Sequence, residues 1–219
     1  MIFAAHQPGL IPYTGFFQKL LRVDVFGLMV DVQFVNDDYH HRVKVGDDSN
    51  ATWLTIPVNA PFKSPINTVT IARNYSAAKM LGKLEHTYRD SPYWKDYSSE
   101  IDAVFSAFAS GDRLFDLNFH LLSFLVDIFD IKTTIVEVYK TGADASLDLV
   151  SWTQANQCSV YLSGSGAKTY LSELAFRAQD LEVKWHKPVL KEGLKTVSVI
   201  TGLFEYGPSY LRDLESSAI

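Results

Sequence analysis

From Thr133 onward, strand-like and helix-like segments alternate. Thr133 to Tyr139 is a β-branched strand-like run, Leu147 to Gln157 predicts a helix, and Ser159 to Ser163 is strand-like again. Lys168 to Gln179 predicts a second helix and Leu181 to Trp185 a third strand. A helix between two strands carries the chain back to the end it left, so successive strands run parallel. Parallel strands need both faces covered, so a β-α-β-α-β run predicts a mainly parallel sheet with helices packed on it.

The N-terminus extends the same pattern. Ile2-Phe3-Ala4-Ala5 is a short apolar run that stops at the turn signal His6-Gln7-Pro8-Gly9, and Pro12 to Leu21 predicts a helix. Val25 to Val30 predicts a buried strand ending at Asp31. Asp47-Asp48-Ser49-Asn50 predicts a loop or hairpin turn, and Trp53 to Val58 a strand that Pro57 places near an edge or a strand end. Three amphipathic stripes follow over Ser76–Tyr88, Tyr97–Ala109 and Asp112–Phe129, with Ser110-Gly111-Asp112 as stop signal and N-cap. Val197 to Tyr206 predicts a short helix. The expected fold is α/β, a mainly parallel, Rossmann-like sheet flanked by helices, with a helical insertion or cap at about 75–130.

The chain has 219 residues, 47% of them hydrophobic, enough for a sizeable core without disulfides or structural metal. At ~150 residues per domain the length allows one domain or two. With no internal repeat and no Pro- or Ser-rich linker, residues 1–219 are expected to form a single α/β domain. The net charge of −5 disfavours a grip on extended nucleic acid, which needs a basic surface. Cys158 stands alone, which excludes an intrachain disulfide and Cys-based zinc ribbons. No H-x-x-x-H or H-E-x-x-H spacing occurs, so no metal site is expected, and no motif identifies a cofactor. Met1 to Pro8 lacks the basic and apolar regions of a signal peptide. Leu20 to Phe34, the longest apolar stretch, is broken by Arg22, Asp24 and Asp31. A cytoplasmic protein without a membrane segment is expected.

In open parallel sheets ligands sit beyond the carboxyl ends of the strands. Three polar clusters fall there: His6-Gln7-Pro8-Gly9, Asp31-Val32-Gln33 and Ser163-Gly164-Ser165-Gly166-Ala167-Lys168. The glycines of the third cluster would let backbone N–H groups approach an anion, with Lys168 supplying charge at a helix N-terminus. Neither Walker A nor G-x-G-x-x-G fits, since Ala167 and Thr169 stand where glycines are needed. His6 reads as a general base or a strand cap, and Asp31 as an acid–base group or a turn aspartate. His40-His41-Arg42 with Lys44 forms a local basic group that suits pyrophosphate or a solvated loop. The expected ligand is a small molecule carrying phosphate or carboxylate.

Taken together, these blocks resemble the bacterial WbqC-like protein family. His6-Gln7-Pro8, Pro12, Gly15-Phe16-Phe17 and Lys19-Leu20 are similar to its opening, followed by Asp31-Val32-Gln33-Phe34, His41-Arg42-Val43-Lys44 and Trp53-Leu54-Thr55-Ile56-Pro57-Val58. Ser91-Pro92-Tyr93-Trp94, Leu117-Asn118 and Tyr161 to Leu171 continue in the same order. The likeness runs from residue 2 to about 208. It departs at Thr201, where the family tends to carry an aspartate after isoleucine.

The resemblance implies a place in bacterial surface-polysaccharide (O-antigen) biosynthesis. The implied activity is transfer of glycine or another acyl or aminoacyl group onto a nucleotide-linked amino sugar. It makes His6 and Asp31 candidate bases for the attacking amine. Gln7, Gln33, Arg42, Lys44, Ser163, Gly164, Gly166, Lys168 and Tyr170 become candidate binding residues. Tyr13, Trp53, Tyr93, Trp94 and Tyr170 are possible ring-stacking partners. The alternatives are a transferase or nucleotidyltransferase on another nucleotide or base, and a non-catalytic sugar-nucleotide-binding protein.

Overall fold

A computed structural model describes residues 1–142, 144–169 and 171–216. Five strands, β1 (Ile2–His6), β2 (Val25–Met29), β7 (Thr134–Val138), β8 (Val160–Gly164) and β9 (Glu182–His186), form one sheet in the order β7-β2-β1-β8-β9. Every pairing in it is parallel. Helix α1 (Thr14–Leu21) joins β1 to β2, and α5 (Ala145–Ala155) and α6 (Glu173–Arg177) follow β7 and β8. The chain therefore runs outward from β1 to one edge, then returns past it to the other. This is the doubly wound arrangement, with its switch point between β1 and β8.

Alternation along the strands explains the two layers. Phe3, Ala5, Val25, Val138 and Tyr161 pack on one face with α5 and α6. Ala4, Phe26, Leu28 and Leu162 face a larger core on the other side, built with Phe16, Phe17 and Leu20 of α1. That core continues through α4 (Leu114–Ile128) and α7 (Val199–Tyr206) to α8 (Tyr210–Ser216). Beside β1, close approach requires glycine at two positions. A Cβ on Gly27 would lie 2.6 Å from the Phe3 ring, and one on Gly15 would lie 2.6 Å from the Tyr13 ring and 2.9 Å from Pro188.

The connection from β2 to β7 holds a hairpin, β3 (Arg42–Val45) with β4 (Thr52–Thr55), and a small pair, β5 (Val58–Asn59) with β6 (Thr70–Ile71). Helices α2 (Ala77–Tyr88) and α3 (Trp94–Ser106) precede α4. A hydroxyl ring ties these parts together. Gly46 N–H donates to Tyr88 Oη (2.7 Å), Tyr88 donates to Thr201 Oγ1 (2.7 Å), and Thr201 donates to the Gly46 carbonyl (3.0 Å). The hairpin turn, α2 and α7 meet at this ring.

Four local expectations are corrected. Lys168–Gln179 is not one helix: Ser165–Thr169 form a 3-10 turn and α6 is short. The Ser172 N–H donates to Ser146 Oγ (2.9 Å) on α5, which takes it out of the helical ladder. Trp53–Val58 serves two pairings rather than one, because Pro57 has no N–H and the run pivots there. Asp112 is not the N-cap of α4. Its carboxylate accepts from Ala109 N–H (2.7 Å), and Arg113 occupies the cap position. Helix α3 begins three residues earlier than its apolar stripe predicts, at Trp94. No helix among the described residues is long and apolar enough to cross a membrane.

Candidate functional site

Strands β1 and β8 pair only near their starts, at Ile2–Val160 and Phe3–Tyr161. Each stays paired to its outer neighbour up to His6 and Gly164. The sheet therefore splits at its switch point, where the carboxyl ends of β1 and β8 diverge. A cavity of about 730 Å³ fills the split. Ser163, Gly164 and Gly166 line one wall, His6 and Gln7 another, and Tyr13, Phe16, Trp152 and Tyr161 provide aromatic surface. A Cβ on Gly164 or Gly166 would meet nothing within 4 Å, and neither has a positive φ. Packing and backbone conformation therefore do not require glycine there. What both glycines leave free is room for a ligand against the main chain.

The floor of the split carries a cation. Lys19 is 5% exposed; its Nζ donates to the Ala5 carbonyl (3.2 Å) and lies 5.6 Å from the Phe26 ring. No carboxylate among the described residues pairs with it. Burial pushes its pKa down to about 8. A desolvated, unpaired ammonium attracts an anion, since a counter-charge restores the solvation that burial removed.

His6 sits beside it. Its Nδ1 donates to the Gln7 carbonyl (2.9 Å), which fixes the tautomer and leaves Nε2 as a lone pair without a partner among the described residues. Burial first, then Lys19, holds its pKa at about 3, against a smaller opposing pull from Asp38. The ring is nonetheless open to the cavity. Water there moderates the shift but keeps its direction, so His6 is neutral at neutral pH. Gln7 is oriented by a relay: Val35 N–H donates to His40 Nδ1 (3.3 Å), and His40 Nε2–H donates to Gln7 Oε1 (2.9 Å). The Gln7 amide nitrogen, opposite the accepting oxygen, keeps two protons for a ligand. His186 is likewise held neutral, Nε2–H donating to Gly15 O (3.0 Å) and Nδ1 accepting from Arg22 (3.4 Å).

Of the residues expected at the site, His6, Gln7, Ser163, Gly164 and Gly166 meet at this cavity. Asp31 lies outside its lining. Its Oδ2 accepts from Lys140 N–H (2.9 Å), while Oδ1 is buried without a partner. Asp31 thereby holds the segment whose Lys140 does line the cavity. Gln33 bridges to Pro65, away from it. Arg42 and Lys44 flank the Trp53 ring at 4.5 and 5.6 Å on the hairpin, and Arg42 also holds Asp37. His41 is bonded to the Ile56 and Asn36 carbonyls. Lys168 lies over Trp185, 5.3 Å from its centre, and Tyr170 lies outside the described residues. Thr201, the departure point of the likeness, is buried in the hydroxyl ring and is not part of this cavity's lining.

Several lining residues went unassigned by sequence reasoning, among them Lys19, Asp38, Lys140, Trp152 and His186. Lys19 stands out only once the structure is known, as a charge in a helix whose every position from Thr14 to Leu20 is buried. Asp38 belonged to a polar run with nothing to single it out, and His186 closes a strand like His6 does.

A model of the WbqC-like protein family matches residues 7–208. The chain belongs to that family. The matched range of this WbqC-like protein takes in Gln7, Lys19, Asp38, Ser163 and His186, and so nearly all of the cavity wall. It is also 24% identical over 221 residues to "Uncharacterized protein Rv1507c" of Mycobacterium tuberculosis (strain ATCC 25618 / H37Rv), covering 94% of this chain and 95% of the relative.

Proposed function

We propose that this WbqC-like protein transfers an acyl or aminoacyl group onto the amine of a nucleotide-linked amino sugar, in the making of a bacterial surface polysaccharide such as O-antigen. The observation that carries the reading is Lys19, a buried cation without a counter-charge on the floor of a split at the switch point of a doubly wound sheet. Such crevices are where open α/β sheets take nucleotides. Lys19 and Lys140 balance phosphate charge, the main chain at Gly164 and Gly166 borders it, and Tyr13, Trp152 and Tyr161 supply faces for rings.

The attacking amine must be uncharged, because an ammonium has no lone pair. Attack forms the N–C bond and breaks the bond from the acyl carbon to the donor's leaving group. The nitrogen becomes strongly acidic as that bond forms. Its proton passes to His6 Nε2 and from there to the departing group. Amide formation from a free carboxylate is unfavourable in water, so the donor arrives as an activated acyl group. Asp38, which lines the cavity and raises the His6 pKa, takes the acid–base position in place of Asp31, which lies outside the lining.

Mass spectrometry tests this. The purified protein is mixed with nucleotide-linked amino sugars, glycine with ATP, and charged tRNA. A new amide product is expected, and its rate falls roughly 100-fold or more in His6→Ala. Ligand-dependent melting shifts without product would indicate a binding protein instead. The absence of both product and melting shift would defeat the reading.

A further inference from the structure

A second chamber, of about 410 Å³, opens from the first. The two share His6, Gln7, Tyr13, Phe16 and Asp38, so His6 stands at their junction. Their walls differ. Lys19, Lys140 and the glycine loop belong to the larger chamber, whereas Pro8, Pro12, Val43 and Val197 face the smaller one. Its own cation, Lys195, is paired with Glu192 at 2.5 Å, and its His40 is neutral and held by Gln7 and Val35. Among the described residues the smaller chamber thus holds no buried, unpaired cation of the kind Lys19 is.

The far wall is also fixed in place. Asp48, on the hairpin turn, accepts from Lys195 N–H (2.9 Å), Thr196 N–H (2.9 Å) and Thr196 Oγ1 (2.7 Å). Its own N–H donates to Gly193 O (2.8 Å). A chamber with a pinned wall does not collapse when empty, so its size reflects what it holds.

We propose that the smaller chamber receives the side chain of the transferred acyl group, and that this group carries an apolar chain larger than glycyl. The inference rests on the transferase reading for the word "transferred". The volume lies within the ~300–1,000 Å³ of small-molecule sites, and a glycyl group would leave most of it empty. An apolar chain gains by leaving water for these walls, and its carbonyl then sits at the junction beside His6 and the Gln7 amide.

The test uses two neutral or anionic probes on the intact protein: hexanamide for the smaller chamber and uridine diphosphate for the larger. Hexanamide is expected to shift the amide resonances of Val43 and Val197 and to bind alongside uridine diphosphate. Pro12→Phe, which fills the smaller chamber, should weaken hexanamide by roughly tenfold or more and change uridine diphosphate by less than about twofold. Gly164→Val should do the reverse. If Pro12→Phe does not melt like the wild type, Tyr39→Trp on the exposed rim replaces it. Competition between the probes, unchanged hexanamide affinity in the filled variant, or no hexanamide binding overturns the proposal. Failure of uridine diphosphate alone strikes the nucleotide reading and leaves the chamber assignment standing.

Discussion

Replacing Lys19 by methionine keeps the length of the side chain and removes its charge. The fall in pKa from 10.5 to about 8 corresponds to roughly 3 kcal/mol against the charged form in the folded protein. The unfolded chain holds this proton up to pH 10.5, whereas the folded chain releases it near 8. Between those values the unfolded state binds more protons, so stability rises with pH through the window. Below 8 both states are charged and the whole penalty is in force. Lys19→Met removes the penalty and also the hydrogen bond to Ala5, worth about 1 kcal/mol. At pH 7 the variant should be more stable by about 2 kcal/mol, and that advantage should vanish as pH approaches 10.5. Urea unfolding of both proteins at the two pH values, followed by tryptophan fluorescence, measures this. Tyrosine ionisation affects both alike and drops out of the difference. A methionine variant less stable at pH 7, or a difference that does not move with pH, would refute the reasoning. The same variant should lose affinity for uridine diphosphate, so stability and binding move in opposite directions.

Tyr88→Phe opens the ring with Thr201 and Gly46 and should cost about 1–3 kcal/mol. Combined with Thr201→Val, the loss should be less than additive in a double-mutant cycle of urea midpoints. Gly15→Ala drives a Cβ into Tyr13 and Pro188 and should destabilise by about 1–3 kcal/mol, read by the same unfolding assay. For His6 the folded pKa lies below the unfolded one, so stability falls as pH drops from 6.5 toward about 3. His6→Asn should make that acid slope shallower in a pH series of melting temperatures, and an unchanged slope would argue against a neutral His6.

The strands of the sheet were legible because each apolar run ends at a turn signal, as Ala5 does before His6-Gln7-Pro8-Gly9. Their order was not, since no local pattern says that β8 returns to lie beside β1. The split between those two strands was hidden for the same reason. That His6, Gln7, Ser163, Gly164 and Gly166 border one cavity was legible because they fall at strand carboxyl ends, which gather at one edge of a parallel sheet. Lys19 could not be weighed, because a lysine in a helix reads as solvent-facing until a second layer covers it. Arg42 and Lys44, close in sequence and charge, lie on the hairpin outside the cavity lining. Trp53, directly across from Lys44 in the hairpin register, occupies the space between them. The predicted helix at 168–179 failed where Ser146, distant in sequence, takes the Ser172 N–H.

The early end of the β1–β8 pairing has a further consequence. Past Phe3 and Tyr161, the facing sides of these two strands are sheet edges that lie inside the molecule. An outer edge invites pairing with another chain and must be guarded. A recessed edge presents its main-chain groups only to something small enough to enter. The sheet is in effect two leaves, β7-β2-β1 and β8-β9, joined at the base like a book held partly open, and a ligand carrying an amide can be bound as though it were the missing page.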